Sequence, residues 1–404
     1  MISFLEAKDL INKISPIGIE EISSFEALKR VVAKDIVSNV DAPPYDSSLK
    51  DGYALYSSCI KDANVDNPVE LEVVASCFAG EDKRLYLPFG KAIKIMTGAI
   101  LPEGADAVLP QELTKNKGNN KILCLADTSS GRNILKKGSD ISFQEIICPK
   151  DTLLTPALLG LITGANIAKV SVYKLPKIVI IATGSELSDV FDEESGSATG
   201  KIFPSNRATI AAWLKEFGID SKLMLCRDDR GELLRLIQKG LLEFDVVITS
   251  GGVLDGEKDL VISVMEEAGV EFLFKRLKIG PGKGVCMGRA NNSLVFNLPG
   301  GPPSNYIAFL FVALPAILRL SGITLDFPPI FSATSTVSLK GRSDWTQFVL
   351  SRTFFKGGAF WCEPVLEESR LKRIAFSNSA IIIEEGISTI EKGQRVPIAL
   401  FKGL

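Results

Sequence analysis

Glycines, carboxylates and a lysine gather where apolar runs end between residues 177 and 304. The run Lys177-Ile-Val-Ile-Ile-Ala-Thr leads into Thr183-Gly-Ser-Glu186, and Lys222–Cys226 leads into Arg227-Asp228-Asp229. Asp245–Thr249 leads into Ser250-Gly251-Gly252-Val-Leu-Asp255-Gly-Glu257-Lys-Asp259. Gly280-Pro-Gly-Lys283-Gly and Asn297-Leu-Pro299-Gly-Gly-Pro302-Pro-Ser304 follow. Glycine turns let backbone N–H groups approach an anion, a helix N-terminus adds favourable partial charge, and Lys283 supplies a point charge to phosphate. Glu186, Asp228, Asp229, Asp255, Glu257 and Asp259 crowd the same loops, and Mg2+ takes oxygen ligands that often bridge carboxylates to substrate phosphates. For Asp255 and Glu257 a capping or solvated role competes with ligand binding, and Asp259 near a helix start can cap as well as bind. The pattern implies a phosphate-bearing ligand. No Walker A sequence and no G-x-G-x-x-G occurs, so neither a P-loop nor a nicotinamide site is favoured.

Histidine is absent from the chain. That excludes a Ser-His-Asp triad, a Cys-His pair and an HExxH zinc site, and leaves proton transfer to Asp, Glu, Lys, Tyr, Cys or water. The seven cysteines are scattered without a C-x-x-C spacing, which argues against zinc fingers or a disulfide scaffold and for a reducing compartment. Lys+Arg 46 against Asp+Glu 48 gives a net charge of −2, with no basic excess for nucleic acid. The N-terminal MISFLEAKDLINKIS mixes charge into an amphipathic pattern and does not read as a signal peptide, so a cytoplasmic protein is expected.

The elements that must position these residues follow from periodicity. Strands alternating with helices imply a parallel, doubly wound sheet covered on both faces. The expected helices are Asn206–Phe217, with Ser205 as its cap, then Gly231–Phe244, Lys258–Ala268 and Pro303–Leu320; a hairpin is expected from Ile279 through Val285. The last helix is very apolar, yet its run is short, holds Pro315 and ends at Arg319, so a buried core helix is expected rather than membrane insertion. Upstream, two helices are expected over Ser3–Lys13 and from Ser23 through Ala33. A β-rich stretch follows Pro43-Pro44, and a helix after Thr155-Pro156 leads to the strand Ala168–Tyr173. Four domains result: a discontinuous linker of 1–43 plus 141–175, a β-rich insertion of 44–140, an α/β domain of 176–323 and a C-terminal β domain of 324–404.

Three further blocks are long enough to compare with a known family. They are Asp41-Ala-Pro-Pro-Tyr-Asp46-Ser-Ser48-Leu-Lys-Asp51-Gly-Tyr-Ala54, Ile95-Met-Thr97-Gly-Ala-Ile-Leu-Pro102-Glu-Gly104-Ala-Asp106, and Gly131-Arg-Asn-Ile-Leu-Lys-Lys-Gly138-Ser-Asp140. With Thr-Gly-Ser-Glu, Arg-Asp-Asp, Ser-Gly-Gly-Val, Gly-Glu-Lys-Asp and Leu-Pro-Gly in the same order, the whole chain resembles the molybdopterin molybdotransferases of the MoeA and gephyrin E-domain family. The resemblance implies a MoaB/MogA-like α/β domain, a C-terminal β-barrel-like domain and an elongated homodimer. It further implies molybdenum insertion from molybdate into adenylylated molybdopterin with release of AMP, helped by Mg2+ or a similar cation, the substrate coming from a molybdopterin adenylyltransferase.

On the matching positions the resemblance implies catalytic roles for Asp51, Asp140, Glu186 and Asp228, the last two also as metal ligands. Thr97, Ser250, Gly251, Gly252, Asp259, Lys283, Pro299 and Pro302 would bind substrate, with Asp259 a candidate reader of the pterin. The site would lie between the α/β domain of one subunit and the β domain of the other. The chain departs from the family pattern at Lys50, Ser139, Ser185, Leu254, Leu260, Gly280 and Gly301, and has no G-S-H segment near its C-terminus. Gly280 replaces one of two lysines, for which Lys278 is a candidate substitute. Two readings stay open: a molybdotransferase, or a weakened paralogue serving as a gephyrin-like scaffold. A molybdopterin adenylyltransferase would leave the Asp-Gly-Tyr and Met-Thr-Gly blocks unexplained.

Overall fold

The computed structural model describes residues 1–184, 186–188, 202–251, 260–324 and 327–401. The chain forms two compact units. One comprises residues 21–28 and 32–172, and the other residues 1–20, 29–31 and 173–404.

In the larger unit a six-stranded sheet runs in the order Ser221–Cys226, Ile178–Thr183, Val246–Ser250, Ser293–Leu298, Cys286–Ala290, Glu271–Phe274. The first four strands are parallel. Ile178–Thr183 and Val246–Ser250 are buried along their whole length, which explains continuous apolar runs rather than alternation. From Ile178–Thr183 the chain steps first to one neighbour and then to the other, so Thr183 and Ser250 flank the point where the winding reverses.

The expected hairpin lies elsewhere. Cys286–Ala290 turns through Asn291-Asn292 onto Ser293–Leu298, with Ala290 paired to Ser293. Asn291 has φ 52°, a conformation asparagine accepts in tight turns. Ile279–Gly280 instead pairs in parallel with Thr346-Gln347. That pairing ties the Lys283 loop to a second sheet, in which Thr346–Lys356, Ala359–Pro364, Ile330–Ser335, Arg395–Leu400 and Ser379–Ile383 close into a barrel through a pairing of the last strand with the first. Ala333, Cys362, Ile381, Ile383, Val396 and Ile398 fill it.

The apolar helix is a core element of this unit. Pro302–Ala308 continues through a widened turn, Phe309–Ala313, into Leu314–Leu320, and most of it is buried. Leu314 donates its N–H to Phe309, five residues back. Pro315 has no N–H for the regular ladder and its ring would crowd the preceding turn, so the widened turn accommodates it. The N-terminal helix Phe4–Asn12 opens with a Ser3/Glu6 capping box and packs Phe4 against Phe311 and Phe348 within this unit, whereas the sequence pattern groups it with the linker. Helix Ser205–Glu216 starts at Ser205 itself, with Pro204 at the N-cap, so Ser205 is not the cap.

In the smaller unit a sheet runs Ala107–Pro110, Gly52–Leu55, Lys91–Ile95, Val69–Cys77, Lys121–Cys124, Thr114–Gly118. Tyr53 and Leu55 enter one apolar cluster and Ala54 the opposite one, the alternation a strand requires. Gly52 is obligatory, since a Cβ there would lie 2.1 Å from the Leu109 carbonyl oxygen. The second expected helix does not form. Only the short turn Ser24–Glu26 is helical, Lys29 takes a left-handed φ of 64°, and Val32 bridges to Val172 in extended pairing. β-Branched Val31 and Val32 fit that conformation better than a helix.

Candidate functional site

The three blocks of the smaller unit interlock. The Asp51 carboxylate accepts both the backbone N–H and the hydroxyl of Thr97, each at 2.7 Å. Ser48 exchanges backbone hydrogen bonds with the Gly98-Ala99 turn, and Leu101 N–H donates to Asp46. The third block joins the same knot: Ile134-Leu135 pairs with Ser47-Ser48, and Asp46 accepts Lys136 Nζ and Lys137 N–H, both at 2.8 Å. Asp140 anchors there through its N–H to the Ala42 carbonyl at 2.9 Å. Asp51 and Thr97 thus touch directly, and Asp140 sits on the adjoining strap. All three are exposed. The Thr97 N–H, followed by its hydroxyl, holds the Asp51 carboxyl below its ordinary pKa, so Asp51 is an anion at neutral pH.

In the larger unit the strand ends converge. Gly184 N–H donates to the Cys226 carbonyl at 3.2 Å, linking the loop that carries Glu186 to the strand end that carries Asp228. The Glu186 carboxylate folds back so closely that a Cβ on Gly184 would lie 2.7 Å from it. Gly251, with φ +117°, is pressed against Thr183: a Cβ there would lie 2.5 Å from the Thr183 carbonyl oxygen. A Cβ on Gly300 would meet the Gly251 Cα at 3.6 Å. The glycines therefore permit three strand ends to approach backbone to backbone, which is the geometry an anion cradle needs.

Two residues that the sequence reading missed hold these loops. Asn305 Nδ2 donates to Ser250 Oγ at 3.0 Å and to the Pro299 carbonyl at 2.9 Å. Asn206 Nδ2 donates to the Gly300 carbonyl at 2.8 Å. Both lie in the first turn of a helix directly following the glycine- or proline-rich segments, a position that could have marked them. Pro299 is buried, and Pro302 occupies the first turn of its helix. Asp229 turns out to be the cap of helix Arg230–Glu243, accepting Glu232 N–H at 2.7 Å, and both it and Asp228 are exposed. Lys283 is exposed on the loop tied to the barrel. Lys278, the candidate substitute for the lysine missing at 280, has its ammonium 3.6 Å from Glu385. Gly252, Asp255, Glu257 and Asp259, with the variant positions Ser185 and Leu254, lie outside the described residues.

Among the described residues no three Asp, Glu or Cys side chains gather into a ready-made metal cage. Glu186 and Asp228 follow strands Ile178–Thr183 and Ser221–Cys226, which pair side by side.

The chain resembles known proteins over nearly its whole length. Residues 2–165 match the family described as the MoeA N-terminal region (domain I and II), and residues 179–319 match a probable molybdopterin binding domain. The chain is 31% identical over 399 residues to the molybdopterin molybdenumtransferase of Haemophilus influenzae, covering 96% of this chain and 95% of that one. To the enzyme of the same name from Bacillus subtilis it is 30% identical over 390 residues, covering 95% and 90%. Two solved structures of molybdopterin biosynthesis MoeA proteins from Pyrococcus horikoshii superpose with TM-scores of 0.84 and 0.81, at 31% and 28% identity, over 100% and 99% of this chain and all of theirs.

Proposed function

The chain belongs to the MoeA family of molybdopterin molybdenumtransferases, and from that premise we propose that it inserts molybdenum from molybdate into adenylylated molybdopterin, releasing AMP. The observation that carries the proposal is the convergence of strand ends at Thr183, Gly251 and Gly300 beside the Glu186 and Asp228 loops. Backbone N–H groups and Lys283 would hold the phosphate groups and molybdate. Ser250, Gly251 and Gly252, with Pro299 and Pro302 shaping the last loop, would position the molybdopterin, and Asp259 would read the pterin.

The chemistry has to proceed without histidine. Cleavage of a phosphoanhydride needs an in-line water, charge neutralisation on the phosphate oxygens and a leaving AMP. A divalent cation such as Mg2+, held by Glu186 and Asp228, would supply the neutralisation. Carboxylates then orient water and take up its proton. Asp51 suits the orienting role because Thr97 fixes its carboxylate and keeps it ionised. We place Asp51, Thr97 and Asp140 in the working site through a second copy of the chain, a homodimer in which each copy completes the other's site, with a molybdopterin adenylyltransferase as donor of the substrate.

The test is direct. Purified protein supplied with adenylylated molybdopterin, molybdate and Mg2+ should release AMP and yield cofactor that activates an apo-molybdoenzyme. Glu186→Gln and Asp228→Asn should abolish the release while circular dichroism stays unchanged. Tight substrate binding with no AMP release by the parent protein would refute the catalytic assignment.

A further inference from the structure

The strand end Ser250-Gly251 and the Pro299-Gly300 loop lie against each other, and two side-chain amides join them. Asn305 Nδ2 donates one hydrogen to the Pro299 carbonyl at 2.9 Å and the other to Ser250 Oγ at 3.0 Å. Asn206 Nδ2 donates to the Gly300 carbonyl at 2.8 Å and to the same Ser250 Oγ at 3.4 Å. A main-chain carbonyl can only accept, so each carbonyl identifies the amide atom facing it as nitrogen rather than oxygen. The orientation of both amides is thereby fixed, and both meet the serine as donors.

That arrangement limits what the Ser250 hydroxyl can do. Its oxygen has two lone pairs, and both receive an amide hydrogen. Its own hydrogen occupies the one remaining corner, turned away from both asparagines, and can only be given away. Among the described residues nothing accepts it, although Ser250 is only 5% exposed. A buried hydroxyl with an unmade donor bond costs free energy unless a partner completes it. The partner that fits is an acceptor without hydrogens of its own, and a phosphate oxygen is one. A cation or a ligand N–H would find no lone pair left on Ser250.

We propose that Asn206 and Asn305 are positioning residues: by filling both lone pairs of Ser250 Oγ they fix that hydroxyl as an obligate donor to a phosphate oxygen of the substrate. The assignment deepens the function proposed above and rests on it, since that reading supplies the phosphate. It differs from a purely structural clamp between two loops. A clamp needs only the serine oxygen as an acceptor, whereas the donor role needs the hydrogen and its direction. Without the two amides the hydroxyl would be free to turn and donate to a nearby main-chain carbonyl, as serine side chains commonly do. Fixing it beforehand removes that competition and reduces the ordering required when the anion arrives.

Calorimetric titration of the full chain with inorganic pyrophosphate tests the assignment, because the probe carries the anion without either ring of the substrate. The parent should bind. Ser250→Ala should weaken binding at least about tenfold, the scale of one hydrogen bond to a charged partner. Asn305→Leu removes the amide without adding charge and should weaken binding about threefold to tenfold. The deciding measurement is the double variant. If Asn305 acts through the Ser250 hydroxyl, adding Asn305→Leu to Ser250→Ala should weaken binding by less than about twofold more. Asn206→Leu gives the same cycle from a half-buried position, and circular dichroism at the titration temperature ensures that folded proteins are compared. No pyrophosphate binding by the parent, binding indifferent to Ser250→Ala, or losses that simply multiply in the double variants would each overturn the proposal. The outcome is separable from the fate of the enzyme reading. AMP release with pyrophosphate binding indifferent to Ser250→Ala sinks only the donor assignment, and coupled losses without AMP release sink only the enzyme.

Discussion

At the scale of single residues, the Asp51–Thr97 pair yields the sharpest expectation. Asp51 has a folded-state pKa below its unfolded value, so its contribution to stability is present above the unfolded carboxylate range and is lost as pH falls through the folded pKa. Carboxyl resonances followed by NMR should show Asp51 titrating below an ordinary aspartate, and Thr97→Val should return it toward the ordinary value. The difference in stability between parent and variant should be larger near neutral pH than in strong acid, where the carboxylate is protonated. An Asp51 that titrates normally in the parent refutes the arrangement. Position 280 gives a second expectation. A Cβ there would meet only Gln347 Cγ, at 3.9 Å, so packing does not demand the glycine. Gly280→Lys should fold normally and, by restoring a second cation beside Lys283, lower the KM for molybdate; an unchanged or raised KM would show that the extra charge does not reach the anion. These residues were legible in the sequence as motifs, because carboxylate, glycine and lysine identities announce themselves. Asn206 and Asn305 were not, since a lone asparagine near a helix start looks like any other until the loop carbonyls it holds are placed.

Among elements, the turn from strand Val246–Ser250 into Gly251 is the most constrained. A side chain at 251 would collide with the Thr183 carbonyl, and the φ of +117° is one that L-residues rarely adopt. Gly251→Ala should therefore destabilise by roughly 2 kcal/mol or more in chemical denaturation and also displace the strand-end loops. Asp228 and Asp229 can be separated in the same way. Asp229→Ala removes a helix cap and should cost about 1 kcal/mol with limited effect on turnover, whereas Asp228→Asn should remove turnover in a protein that still folds. Full turnover by the Asp228→Asn variant would mean the two roles are misassigned. Strands and long helices could be read because their periodicity is local. The helix expected after Ser23 failed because Val32 has a distant extended partner, Val172, and no short window of sequence reveals a partner that far along the chain. The misplaced hairpin has the same cause: the glycine-rich segment from 279 to 284 looks like a turn, but its strand partner is Thr346-Gln347.

Considering the whole molecule, the expected state in solution is a dimer. Light scattering should give twice the chain mass of 43.7 kDa at micromolar concentration. A more specific expectation is complementation: a Glu186→Gln chain mixed with an Asp51→Asn chain should regain activity if each site draws on two copies, since one of the two sites in a mixed dimer then contains both wild-type residues. Failure to recover activity in demonstrably mixed dimers would exclude the shared site. The fold class was readable from the alternation of strands and helices and from the resemblance together. The proposed sharing of a site between two copies was not, because surfaces that meet between molecules leave no period in the sequence.

The two-residue pairing of Ile279–Gly280 with Thr346-Gln347 has a further consequence. It makes the lysine-bearing loop a passenger on the barrel, so the proposed anion site would inherit whatever strain or drift the barrel carries. A random library selected only for loss of activity should therefore return a class of lesions inside the barrel, at positions such as Ile381 or Ile398, that fold, touch no ligand and still lose molybdate.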